Sequence, residues 1–335
     1  MNRKRRQDEA GRAADIFSLA LSYLGFSAMF EAFSLFSSMR SDASPGAVKS
    51  YTKSMRSLTV SQRSVARELG IAYYRLARAL TVGETYASPG EKPGRVTLQD
   101  LRDDFTDVVE RAVPKRRIKP SPEVVDIFNR ARLNEKMPTL DTDDGNEKIP
   151  TERFDWPEEI TPDGAADSTE KRLGDLIDFA KSHERQSKRR GKDANKHAGV
   201  VHKNITDGGR EVIDLSARRD KKAIGFVRVS RTGDPCYFCA MQISRGVVFK
   251  SKKVERGGSF RSEGELYHDN CNCYSVPIYS MREYRTDPRF ALNRELQDLW
   301  KTEISGRFTG KDAINEWRQV IRARRVRAKK EKRAA

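Results

Sequence analysis

DPCYFCAMQISRGVVF at residues 234–249 and YHDNCNC at 267–273 hold every cysteine of the chain: Cys236, Cys239, Cys271 and Cys273. His268, one of only four histidines, lies with them. The pattern is C-x2-C, a gap of 28 residues, then H-x2-C-x-C. Zinc prefers thiolate and imidazole ligands, and a closed structural site takes four. Two half-sites far apart in sequence let one ion tie two segments together. Five candidates compete for four places: Cys236, Cys239, His268, Cys271 and Cys273. Cys271 and Cys273 are two apart and in a strand would share one face. The spacing leaves open which of them ligates, or whether both do with His268 outside the ligand set.

Other uses of the cysteines carry less weight. Two disulfides would suit an oxidising compartment, but no A-x-A-like cleavage motif follows the basic MNRKRR start. Buried free thiols pack as small hydrophobes, yet chance rarely gathers four within 38 residues of 335. Pro235-Cys236-x-x-Cys239 is half of a nucleobase-deaminase signature, which also needs H-x-E. None of His183, His197 or His202 has Glu two residues on. A catalytic zinc also keeps one position open, whereas here ligands are in surplus. No G-x-S-x-G, H-E-x-x-H or phosphate-binding glycine loop occurs. The residues point to a structural zinc and to a protein that is not an enzyme.

Charge indicates the partner class. Lys plus Arg number 65 against 48 acidic residues, a net +17. Such an excess argues for a polyanionic partner, nucleic acid first, and says nothing about fold. Nine of the last 18 residues are basic. Arg318, Arg322, Arg324, Arg325, Arg327, Lys329 and Lys330 are the candidate nucleic-acid contacts. On a helix, Arg318, Arg322 and Arg325 form a stripe that can follow phosphates without touching base edges. A solvated tail, or a tail on an acidic protein surface, would use the same charges. Residues 16–30 are uncharged, short of the roughly 20 needed to span a bilayer, so no membrane contact is expected.

Along the chain, Ile16, Leu19, Tyr23, Phe26, Phe30 and Phe33 make a helical stripe over 13–39. Apolar residues off that stripe mark it as core or as a contact with another subunit. Residues 1–12 read as loose. A second helix spans 61–80 and stops at Gly83. Thr97 with Asp100 opens a third, and Ser121-Pro122-Glu123 a fourth. Residues 137–170 hold eleven acidic residues against two basic ones and read as a linker or surface arm. Phe154 and Trp156 there either dock on a partner or clamp the arm to its own domain. A short helix is expected over 168–182, a basic exposed stretch over 181–204 and a hairpin tip over 250–264. Strands are expected from Lys222, at Val247–Phe249 and over Cys273–Tyr279, the last an edge because of Pro277. Helices opening at Asp287-Pro288 and Thr309 end the chain. The expected fold is α+β. A helical region 1–133 leads to an acidic arm 134–168 and a basic helical connection 169–221. A zinc-stapled β unit 222–282 and C-terminal helices 283–335 follow.

FVRVSRTGDPCYFCAMQISRGVVF at 226–249 with YHDNCNCYSVPIY at 267–279 resembles the Mu F-like minor head proteins of tailed bacteriophages, nearest the branch in phages of actinobacteria. The likeness is specific over Gly225 to Tyr279. It implies a virion protein in few copies, at the portal vertex or inside the head and in the host cytoplasm during assembly. Its implied partners are the portal or major capsid protein, with no established catalytic residues; packaged DNA is the partner expected of the basic segments. The other class that fits is a zinc-dependent nucleic-acid-binding protein acting in the host cell.

Overall fold

The computed structural model describes residues 2–38, 44–113, 131–133, 135–141, 143, 145–157, 190–249, 267–268 and 271–334. The chain forms two compact units, Met1–Ser216 with Ser262–Cys271, and Ala217–Arg261 with Asn272–Ala335. The α+β class holds, with a helical N-terminal half.

The first unit is built on α1 (Arg3–Ser38) and α2 (Pro45–Val82). Ser44 caps α2 ahead of Pro45, and Gly83 ends it in the left-handed conformation, φ +81°. Glycine adopts that conformation without a Cβ penalty. By length and composition α1 could cross a membrane, but 72% of its apolar window is buried within the fold. Phe17, Leu21, Leu24 and Phe26 are all shut from solvent. That explains why apolar residues occupy more than one side of α1. Residues 3–12 are helical rather than loose: Arg5 and Arg12 meet Asp141, and Arg6 meets Glu147.

Strands β1 (Thr85–Tyr86) and β2 (Arg95–Thr97) precede α3 (Leu98–Ala112). The capping box is formed: Asp100 N–H donates to Thr97 Oγ1 at 3.0 Å and Thr97 N–H to Asp100 at 2.7 Å. These bonds hold the Asp100 carboxyl below its ordinary range. The acidic segment is not a plain arm. Its centre is strand β3 (Lys148–Glu152), lying between β1 and β2. Only Ile149 and Thr151 point inward, and two residues are too few to show a period. Phe154 stacks on Tyr86 with centroids 4.1 Å apart, and Trp156 Nε1 donates to the Ala87 carbonyl at 2.9 Å. The two aromatics therefore clamp this segment to its own unit.

The stretch read as exposed and basic is in large part α4 (Arg190–Arg219). Val201, Ile205, Val212 and Ile213 are buried on it, and so are His202, Thr206, Asp207, Arg210 and Asp214. Those buried polar residues mask the helical period in the sequence. Gly209 lets α4 pack tightly: a Cβ there would stand 2.9 Å from the Ala66 carbonyl oxygen and 2.9 Å from Leu21 Cδ1.

In the second unit, β4 (Gly225–Ser230) is the centre of an antiparallel sheet, flanked by β5 (Val248–Phe249) and β6 (Cys273–Ile278). Pro277 lies on β6, an edge strand as expected. Every residue of β6 is buried, so elements cover both faces. Helix α5 (Tyr237–Ile243) follows the first cysteine. Then come α6 (Met281–Thr286), a 3-10 turn at Pro288–Phe290, α7 (Ala291–Glu303) and α8 (Gly310–Ala334). Asn293 Nδ2 donates to the Arg228 carbonyl at 2.8 Å and ties α7 to β4. The expected helices at 121–132 and 168–182 and the hairpin tip at 250–264 lie outside the described residues, apart from 131–132 at the end of the first.

Candidate metal centre

Cys236 is the N-cap of α5, and its Sγ accepts the Cys239 N–H at 3.4 Å. The C-x2-C pair is thus a tight turn into a helix, with sulfur taking an otherwise orphan amide. Cys273 opens β6 opposite Ser230 of β4. Cys271 lies before that strand, and its N–H donates to the His268 carbonyl at 3.2 Å. The strand expectation therefore applies to Cys273 and not to Cys271.

The five expected ligands fall into two groups of three that share one cysteine. The candidate ligand atoms of Cys236, Cys239 and His268 lie within 4.8 Å of one another, as do those of Cys239, Cys271 and Cys273. Cys239 belongs to both groups. None of the four cysteines forms a disulfide. Cys239, Cys271 and Cys273 are buried, while Cys236 and His268 are half-buried. These groups could hold a metal ion. A donor set of sulfur and imidazole suits zinc or another thiophilic ion, and not magnesium or calcium. Three buried sulfurs close together gain most from a cation, since the ion takes them as thiolates.

One residue near these ligands escaped the sequence. His202 on α4 is wholly buried, and neither ring nitrogen has a hydrogen-bond partner among the described residues. Its ring lies 4.5 Å from Phe26, and a side chain at Gly25 would strike it. Burial above all, then the Arg210 charge, pushes the imidazole down to about 3; Cys271 and His268 also act on it. Arg210 itself donates to the Cys271 carbonyl and to Asp207 Oδ1 at 3.1 Å, and lies over the Tyr267 ring. Nothing in the spacing around His202 separates it from His197, so the sequence carries no signal for it.

The basic C-terminal residues divide into two sets. Arg318 donates to Tyr237 Oη at 3.0 Å. Arg324 grips Glu295 at 2.6 and 3.0 Å, which raises its pKa further. Arg325 reaches Asp234 at 2.8 Å. Arg322, Arg327 and Lys330 are exposed. The side chain of Lys329 lies outside the described residues.

No curated protein and no solved structure matches this chain. Residues 147–299 match the model of the VG15 protein family, a family of viral proteins, and the match points to a phage protein. The matched stretch contains all five candidate ligands.

Proposed function

We propose that this is a phage minor head protein, a structural component of the virion that acts by binding and not by catalysis. It works at the portal vertex or inside the head, against the portal or major capsid protein. A structural zinc, held by Cys236, Cys239 and His268 with Cys271 or Cys273, fixes the turn into α5 and the start of β6. The observation that carries the reading is the pair of ligand groups joined at Cys239, both inside the stretch matched by the VG15 family. A three-stranded sheet of short strands has little core of its own, and zinc supplies folding free energy directly.

Packaged DNA is the proposed partner of the exposed basic residues Arg322, Arg327 and Lys330. The test is mass spectrometry of purified particles together with metal analysis of the isolated protein. The protein in virions at a few copies, with about one zinc per chain, supports the reading. Its absence from particles, with the chain bound to host nucleic acid, would favour the host-cell alternative.

A further inference from the structure

The backbone around Cys236 is held from outside its own turn. Trp317 of α8 is wholly buried and packs edge-on against Trp300 of α7, centroids 5.0 Å apart. Its Nε1 donates to the Tyr237 carbonyl at 2.9 Å. The next residue, Arg318, lies over the Tyr237 ring at 4.5 Å and donates to its hydroxyl at 3.0 Å. Two turns further, Arg325 donates to Asp234 Oδ1 at 2.8 Å, to the Pro235 carbonyl at 3.0 Å and to the Asp234 carbonyl at 3.4 Å. The carbonyls at 234, 235 and 237 therefore all end on α8, and Cys236 sits between them.

We infer that α8 is a positioning element of the metal centre: Trp317 and Arg325 set the Cys236 turn, so metal binding and docking of α8 are coupled. This rests on the metal reading given above. The arginine bonds alone would be weak, because Arg325 and Asp234 are 39% and 58% exposed and such pairs contribute little. The buried indole supplies the fixed point, since its N–H must find a partner where water is excluded. Linkage makes the coupling reciprocal: whatever α8 adds to metal affinity, metal adds to the docking of α8. The carbonyl-holding arginine also comes from the basic tail, so Arg325 serves the metal centre before any outside partner.

The experiment uses the full chain. Zinc affinity is measured by competition with a chromophoric chelator, and the ligand field by the thiolate charge-transfer bands of the cobalt form. Trp317→Phe keeps the packing and loses the N–H; Arg325→Ala loses the clasp; Lys311→Ala, at an exposed position of the same helix, is the control. Each of the first two should weaken zinc about tenfold, the effect of one well-made hydrogen bond, and shift the cobalt bands. Arg325→Lys should restore affinity in part. Zinc removal should speed amide exchange across Gly310–Ala334 and leave Leu98–Ala112 unchanged. Wild-type zinc affinity and spectra in both Trp317→Phe and Arg325→Ala would overturn the coupling while leaving the metal reading intact. A wild-type chain that takes up no zinc would overturn both.

Discussion

Arg102 of α3 and Glu9 of α1 meet through two parallel hydrogen bonds of 2.7 and 2.9 Å, with both side chains shut from solvent. Arg102 also donates to the Asp143 carbonyl at 3.1 Å. Removing one partner of such a pair strands a buried charge, at about 3–5 kcal/mol. Arg102→Met should therefore destabilise the first unit by about that much. The double variant Glu9→Leu/Arg102→Met should recover most of the loss. Urea titrations of the four proteins in the cycle check this. A double variant as unstable as the sum of the singles would mean that the two charges do not act as a pair.

His202 predicts a dependence on pH. Its folded value is about 3 against an ordinary 6.5, so the unfolded chain takes the proton first as pH falls. The stability is complete above about 6.5 and is lost progressively as pH drops toward 3. The slope from this one group approaches about 1.4 kcal/mol per pH unit. Metal ligands also titrate in acid, so wild type must be compared with His202→Gln at saturating zinc. The difference in unfolding free energy between the two should shrink steadily from pH 6.5 to 4. Parallel curves would show that His202 is not buried as a neutral ring.

The ligand groups predict unequal cysteines. Cys239 is common to both, so Cys239→Ser should abolish zinc binding and unfold the second unit while sparing α1 to α3. Cys271 and Cys273 belong to one group only, and a four-coordinate ion needs just one of them beside Cys236, Cys239 and His268. Of Cys271→Ser and Cys273→Ser, one should keep close to one zinc per chain, and the other should lose it. Metal analysis with cobalt spectra distinguishes them. Equal loss in both would mean that His268 lies outside the ligand set and that all four cysteines bind.

Residues with strong local chemistry were legible in the sequence. Thr97 with Asp100, the stop at Gly83, the β6 edge with Pro277 and the five metal candidates needed only spacing. What stayed hidden depended on partners far along the chain. Arg5, Arg6 and Arg12 look like a loose basic start until Asp141 and Glu147 neutralise them. The Arg5 bond, above all, holds the Asp141 carboxyl below its ordinary range. Strand β3 hides because two inward residues make no period. A helical connection is expected where α4 lies, but its burial hides because His202, Asp207, Arg210 and Asp214 fill positions where a hydrophobic stripe would be sought. Buried ion pairs are invisible to hydrophobic periodicity, which counts only apolar residues.

The last prediction concerns the tail. A stripe of Arg318, Arg322 and Arg325 would follow phosphates, but Arg318 and Arg325 hold Tyr237 and the Asp234–Pro235 carbonyls. Arg324 is taken by Glu295. Deleting residues 322–335 would thus remove intramolecular bonds along with any bond to DNA. The cleaner variant changes only exposed residues: Arg322→Gln, Arg327→Gln and Lys330→Gln together. It should leave zinc content and melting unchanged. On the DNA reading it should weaken binding similarly for unrelated duplexes. The slope of log affinity against log salt should fall by up to roughly 3, since each neutralised phosphate adds about 0.9 to it. Arg325→Ala, in contrast, should change zinc affinity more than DNA affinity, because its guanidinium already has acceptors. If the triple variant binds DNA with an unchanged slope, those three charges do not meet phosphate, and an acidic face of portal or capsid becomes the partner to test.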